Sequence, residues 1–305
     1  MSAFRPAYLD LLKSGELERR SIGTVNILKE CTACPRNCRI NRLEGALGHC
    51  RTGAHAKVSS YGPHFGEEKP LRGRHGSGTI FFSRCNLNCI YCQNYDISQS
   101  ESGTDVDAQA LANIMLRLQA DGCHNINLVS PSHLVPQILA AIYIAAISGL
   151  ELPIVYNSGG YDSLEMLKFL DGIIDIYMPD MKYSDEEIAR DLSNVANYPT
   201  VNQVAVREMH RQVGDLQLDK NNLAQRGILV RHLVLPDNLA GSGNIFHFLS
   251  HTISMNTYLN IMAQYRPAHK AHNQTSLSRP ITPYEYQEAI ELARSHGLLR
   301  LDIIP

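Results

Sequence analysis

From Gly78 onward the chain alternates short β-rich runs with helix-length amphipathic segments, and that alternation restricts it to a parallel sheet with helices packed outside it. The β-rich runs fall at 79–82, 125–129, 153–156, 174–178, 228–235 and 258–262. Between them, 106–120, 134–148, 163–170 and 244–253 carry helical spacing. Six such units predict an α/β fold, a partial (βα)6 TIM-like barrel. The stretches 186–192 and 201–214 look helical and polar, so this crossover should lie outside the sheet. A last helix is capped by Thr282, starts at Pro283, completes a capping box with Glu285 and stops before Gly297. Barrels of this kind do their chemistry at the carboxyl ends of the strands, where the βα loops converge.

The first of those loops is Cys85-Asn-Leu-Asn-Cys89-Ile-Tyr-Cys92, directly behind the run Gly78-Thr79-Ile80-Phe81-Phe82. A cubane iron–sulfur cluster normally takes four thiolates, so a compact loop of three leaves one iron for an exchangeable ligand. Unrelated cysteines or a zinc loop are the competing readings.

The loop, with Tyr91 beside its last cysteine, resembles the signature of the radical S-adenosylmethionine (SAM) enzymes. The resemblance implies a 4Fe–4S cluster on Cys85, Cys89 and Cys92 and a barrel of the radical SAM type. It also implies SAM on the open iron, an electron donor such as flavodoxin or ferredoxin, and a 5′-deoxyadenosyl radical that abstracts hydrogen from a substrate. The protein would bind, orient and shield these groups.

Further along, Asp180-Met-Lys182 ends the fourth run, where opposite charges can serve a ribose and a carboxylate, or simply pair with each other. The triplet resembles the Asp-Leu-Lys of the pyruvate formate-lyase-activating enzyme branch, where it contacts the cofactor. Arg231 sits inside Ile228-Leu-Val-Arg-His-Leu-Val-Leu-Pro236, a costly place for a guanidinium unless an anion meets it. The cofactor carboxylate is the natural candidate, and the same branch carries an arginine in a matching strand. His232, one residue on, should face the opposite side as a structural histidine. After the second run that branch shows Gly-Gly-Glu, whereas this chain reads Val129-Ser130-Pro131-Ser132-His133. Ser130 and backbone carbonyls are then the candidates for the cofactor amino group. His133 reads as a substrate-facing acid or base, or as the start of a helix capped by Ser132. Asn157-Ser-Gly-Gly160 and Gln264-Tyr-Arg266 are nominated by position alone.

A second cysteine group precedes the barrel: Cys31, Cys34, Cys38 and Cys50, with Arg36, Arg39 and Arg42 among them to offset thiolate charge. Four thiols complete a tetrahedral set, for a structural zinc or an auxiliary iron–sulfur cluster. The domain reading is a cysteine-rich, metal-binding module at 1–70 and a radical SAM core at 71–305. Cys123 has no metal-spaced partner and reads as a small buried hydrophobe.

Net charge is −2, with no basic excess for a phosphate backbone or a lipid surface, so nucleic acid and membrane are not expected partners. No run approaches the length of a membrane span. Seven of eight cysteines cluster within 31–92, which suits metal ligation in a reducing compartment and a cytoplasmic protein. The functional expectation is a radical SAM oxidoreductase that activates or modifies a protein substrate, like a glycyl-radical activase. Modification of another peptide or a small metabolite is one alternative. A non-catalytic iron–sulfur or zinc protein, serving electron transfer or assembly, is the other.

Overall fold

The computed structural model describes residues 4–303. Its strands are β1 (Ala56–His64), β2 (Ser77–Phe82), β3 (Thr104–Val106), β4 (Ile126–Val129) and β5 (Ile154–Ser158), then β6 (Ile176–Pro179), β7 (Gln217–Leu218), β8 (Ala224–Leu233), β9 (Tyr258–Met262) and β10 (Leu301–Ile303). They form one sheet in the order β10-β9-β8-β6-β5-β4-β2-β1-β3, with β7 pairing off this path against β8. The strands from β2 to β10 along that order run parallel. β1 lies antiparallel on β2, and β3 antiparallel on β1. The sheet is thus an open barrel: the six expected strands are all present, with β10 added beyond β9 and an antiparallel edge added beyond β2.

β5 and β6 are buried at every position, as parallel strands covered on both faces must be. Side-chain alternation divides the apolar residues into two layers. Leu128, Tyr156, Ile228 and Val230 belong to the large core under the outer helices. Val155, Ile176, Met178 and Leu229 join Leu71, Leu216 and Ala224 in a separate cluster within the barrel. The polar residues Asn157, Asp180 and Arg231 come later on the same strands or just past them, and line a cavity at the carboxyl edge.

The final helix, Pro283–Ser295, has its capping box: Glu285 N donates to Thr282 Oγ1 at 3.2 Å and Thr282 N to Glu285 Oε2 at 2.7 Å. The expected helix at 244–253 instead splits into Ser242–Phe248 and a π turn, Leu249–Ile253. Ser132 does not cap the helix after β4. That helix, Val135–Ile147, starts behind Leu134 with no side-chain cap, and Ser132 bonds Asp162 and Tyr156 instead. A tertiary bond has taken the hydroxyl that a local cap would use.

The amino-terminal helices Tyr8–Lys13 and Glu16–Asn26 pack across Val135–Ile147. Tyr8 donates its hydroxyl to the Leu150 and Leu152 carbonyls at 3.1 and 3.0 Å, and Ala7 N donates to buried Asp175 at 3.1 Å. Those partners precede β5 and β6, so the extension starts at the amino edge of the barrel. It ends near the carboxyl edge, where Arg36 and Arg42 donate to the Asn86 and His133 carbonyls, both at 2.8 Å. Residues 56–64, within the span read from sequence as the cysteine-rich module, form β1 of the sheet itself.

His232 points out of the barrel, fully buried, between the Met181 carbonyl at 2.8 Å and Ser242 Oγ at 2.9 Å. Burial lowers its pKa to about 4. Between roughly pH 6.5 and 4 the unfolded chain therefore holds a proton there that the folded chain does not, so stability falls as pH falls through this window. The slope from this residue is about 1.4 kcal/mol per pH unit. Urea midpoints measured from pH 7 to 4 should show the wild type losing its advantage over His232→Asn as the solution is acidified.

Candidate functional site at the carboxyl edge of the barrel

After β2 the chain turns at Arg84, which adopts a left-handed φ of 72°, and enters the three-cysteine loop. The loop is fastened by two backbone bonds and one side chain: Asn88 N donates to Ser193 O at 3.3 Å, Ile90 N to Leu192 O at 2.9 Å, and the Asn86 amide Nδ2 to Tyr161 O at 2.7 Å. Each sulfur has a polar neighbour. Leu87 N donates to Cys85 Sγ at 3.4 Å, Ser193 Oγ to Cys89 Sγ at 2.9 Å, and Ser98 Oγ lies 3.2 Å from Cys92 Sγ. Tyr91 and Tyr183 share a 2.6 Å hydroxyl contact, and Tyr183 in turn lies 2.7 Å from Ser193 Oγ. This chain of hydroxyls behind Cys89 leaves no local signature in the sequence.

Burial pushes the Cys85 thiol up to about 12 and the Cys89 thiol upward as well. Thiols in such a setting stay protonated unless a cation compensates them, and a metal that binds thiolate supplies that compensation. The donor set therefore fits an iron–sulfur cluster: three sulfurs on one loop, each with a hydrogen-bonding neighbour, facing a cavity.

That cavity measures about 610 Å³, within the range of ligand sites. Cys85, Cys89, Cys92, Ser130, Asp180, Lys182 and Arg231 all line it, so the fold gathers these residues from four strand ends. Asp180 is the hub. Lys182 Nζ donates to its Oδ2 at 2.6 Å, and Arg231 Nε and Nη2 reach its Oδ1 at 2.9 and 2.8 Å. Burial alone would raise the Asp180 carboxyl, but the Arg231 and Lys182 charges outweigh it and hold the pKa below the usual value. Burial likewise works against the Lys182 ammonium, and the Asp180 charge overcomes it, raising Lys182 to about 12. One carboxylate thus holds two cations at the cavity wall, where their remaining donors can meet an anionic group.

Ser130 takes a left-handed φ of 61° at the strand end, and Asn157, Ser158 and Gly159 also face the cavity. Gly160 is constrained: φ is +76°, and a Cβ would meet Asp180 O at 2.1 Å and Asn202 Nδ2 at 2.2 Å. Gly160→Ala should displace the Asp180 strand end and cost about 1–3 kcal/mol of stability. Urea unfolding of the two proteins tests this. Gln264 lines the cavity, whereas Tyr265 is buried and bonds the Leu277 carbonyl, and Arg266 is exposed.

Two acidic residues that sequence reasoning passed over, Glu67 and Glu68, reach the cavity from the turn after β1. Glu68 is buried, accepts from Asn260 Nδ2 at 2.9 Å, and leaves its other oxygen unpartnered. Burial raises its pKa, and the Arg231 charge opposes that rise. His133 is placed elsewhere: it lines a small cleft with Cys31, Cys34, Cys38 and Cys50 rather than the barrel cavity, which removes it as a substrate-facing acid or base. Burial, with help from Arg42, lowers its pKa to about 3, so it is neutral.

The four amino-terminal cysteines converge on that cleft. Burial pushes Cys34 up to about 12, and Cys50, Cys31 and Cys38 each add to the rise, so the four sulfurs are neighbours. Buried Arg42 lies 3.7 Å from Cys31 Sγ, and a Cβ on Gly48 would meet Cys38 Sγ at 2.9 Å. An open cavity of about 430 Å³ reaches from Cys50 to Cys85, between the two cysteine groups. Cys123 is buried and remote from both.

A partial barrel with a three-thiol loop behind its first parallel strand defines a class of cluster-dependent enzyme. Comparison with known proteins agrees: residues 79–212 match the Radical SAM superfamily model. An uncharacterized protein of Methanocaldococcus jannaschii is 31% identical over 301 residues, spanning 95% of this chain and 82% of its own length. The chain belongs to the radical SAM superfamily and is a radical SAM enzyme, a family that uses a 4Fe–4S cluster, SAM and a reductant. The FeFe-hydrogenase maturase HydG of Carboxydothermus hydrogenoformans shares the fold, with a TM-score of 0.51 and 15% identity over 72% of this chain and 50% of that one. This chain therefore spans about half of the maturase. A domain of a pyruvate-formate lyase-activating enzyme from Bacteroides vulgatus overlaps 65% of this chain and 91% of its own, with 11% identity and a TM-score of 0.37, too slight a likeness to carry an argument. No helix among the described residues is long and apolar enough to cross a membrane.

Proposed function

We propose that this protein cleaves SAM reductively at a cluster held by Cys85, Cys89 and Cys92, and that its substrate is a protein, as for a glycyl-radical activase. One observation carries the first part: the three-thiol loop and the Asp180–Lys182–Arg231 group face a single cavity. Cys85, Cys89 and Cys92 would hold the cluster, which would supply the electron for reductive cleavage of the sulfonium carbon–sulfur bond. Lys182 and Arg231 would orient the methionyl carboxylate, and Asp180 keeps both cations in place. Ser130 would meet the amino group. The apolar layer beneath, with Val155, Ile176 and Leu229, keeps water from entering below.

The protein-substrate reading rests on the Pro179-Asp-Met-Lys-Tyr183 and Arg231-His-Leu-Val-Leu-Pro236 runs, which resemble the activating-enzyme branch. A second reading, a small polar metabolite, draws support from the unpartnered acceptors Glu68 Oε2 and Asn260 Oδ1, which would bind a donor-bearing ligand. In either case Cys31, Cys34, Cys38 and Cys50 would hold a second centre. That centre would be a structural zinc or an auxiliary iron–sulfur cluster, both of which take four thiolates. The module at 1–70, a flavodoxin or ferredoxin donor and a cytoplasmic setting complete the proposal.

The test is 5′-deoxyadenosine formation by the anaerobically reconstituted protein with dithionite and SAM. Product is expected. Absence of both product and calorimetric SAM binding would overturn the proposal. A glycyl radical signal by electron paramagnetic resonance with a co-purifying partner would support the protein substrate, and a small-molecule product by mass spectrometry would support the second reading.

A further inference from the structure

We propose that His247, His251 and His296 form a binding site for a borderline divalent cation of the Zn²⁺ type. The site lies at the amino edge of the barrel, away from both cysteine groups. His247 and His251 close the segment that descends from β8 to the start of β9, and His296 ends the helix Pro283–Ser295 ahead of β10. Residues nearly fifty positions apart in sequence are thus brought to one place.

One ring nitrogen from each lies within 4.8 Å of the other two. The His247 and His251 ring centroids are 4.1 Å apart, and His296 stands 5.7 and 6.3 Å from them. Zinc–nitrogen bonds of about 2.0–2.1 Å at tetrahedral angles place ligand nitrogens roughly 3.4 Å apart. Closing that gap takes about an ångström of movement from side chains that are exposed or half-buried.

The π turn Leu249–Ile253 does the placing, because it carries His251 back over His247. His251 Nδ1 lies 2.8 Å from Ser250 Oγ and 3.1 Å from the His247 carbonyl, so that side of the ring is held by its own segment and Nε2 is the ring nitrogen left to face a metal. The segment Ser242–Ile253 and the helix Pro283–Ser295 both present their carboxyl ends here, and helix carbonyl ends favour a cation. Three imidazoles without a carboxylate select zinc, copper or nickel over calcium or magnesium. A bound ion would tie the helix before β9 to the helix before β10, and the open face leaves water as the fourth ligand.

The experiment uses the anaerobically reconstituted protein, dialysed against Zn²⁺ and analysed for metal per chain. Wild type is compared with His296→Gln and His251→Gln, which keep all eight cysteines, so cysteine-bound zinc cancels. Wild type should take up one more Zn²⁺ per chain than either variant. Zn²⁺ should raise its melting temperature while leaving the variants unchanged, and Mg²⁺ should do neither. Equal zinc uptake by all three proteins would overturn the proposal, as would a Mg²⁺ effect matching that of Zn²⁺.

Discussion

Cys89→Ala will reduce 5′-deoxyadenosine formation to background and remove about four irons per chain, because two thiolates are too few to hold a cubane. The fold should survive. Ser193 loses its 2.9 Å sulfur acceptor but keeps the Tyr183 hydroxyl at 2.7 Å, so the cost in the cluster-free protein is about 1 kcal/mol. Iron analysis, product formation and a urea melt on one preparation separate these effects. Iron content equal to wild type would mean that the loop does not hold the cluster. By contrast, Cys34→Ala should leave the iron at the barrel loop in place, since its sulfur belongs to the other cleft.

The second large effect is on stability. Asp180→Ala leaves Lys182 and Arg231 facing each other in the cavity wall, where their side chains are only 16% and 19% exposed. Removing one member of a buried ionic group costs about 3–5 kcal/mol, because the remaining charge has lost its compensation. Urea unfolding of the cluster-free protein should show a loss of that order, and Asp180→Asn, which keeps the shape and one acceptor, a smaller one. SAM should also restore more stability to the alanine variant than to wild type, since its carboxylate offers the missing anion. A loss below about 1 kcal/mol would show that both cations swing into solvent when released.

The parallel strands were legible for a physical reason: buried on both faces, they are written as unbroken apolar runs, as in Ile154-Val-Tyr and Ile228-Leu-Val. The antiparallel edge was not. β1 is half exposed, carries Ser59-Ser60 at its centre and Gly62-Pro63 near its end, so it reads as a loop until β2 is there to pair with it. β10 has three residues and no periodicity to detect. Within the site, the cysteines and the Asp180–Lys182 pair were visible because their spacing is local. Glu68 was not, because its meaning comes from Asn260, 192 positions away. His133 and Ser132 show the reverse error: a local helix-start pattern lost to longer-range contacts with the cysteine cleft, Asp162 and Tyr156.

The way the first two helices lie across Val135–Ile147 bears on how the protein can be produced. Tyr8 and Leu17 are completely buried there, against a helix whose outer surface is itself almost wholly apolar. Shortening the gene so that translation begins just before Cys31 would keep every cysteine yet uncover that surface. A contiguous apolar patch of this kind drives association and precipitation. An expression vector meant to yield material for spectroscopy should therefore retain the codons from Arg5 onward, and an affinity tag is better placed on the other terminus.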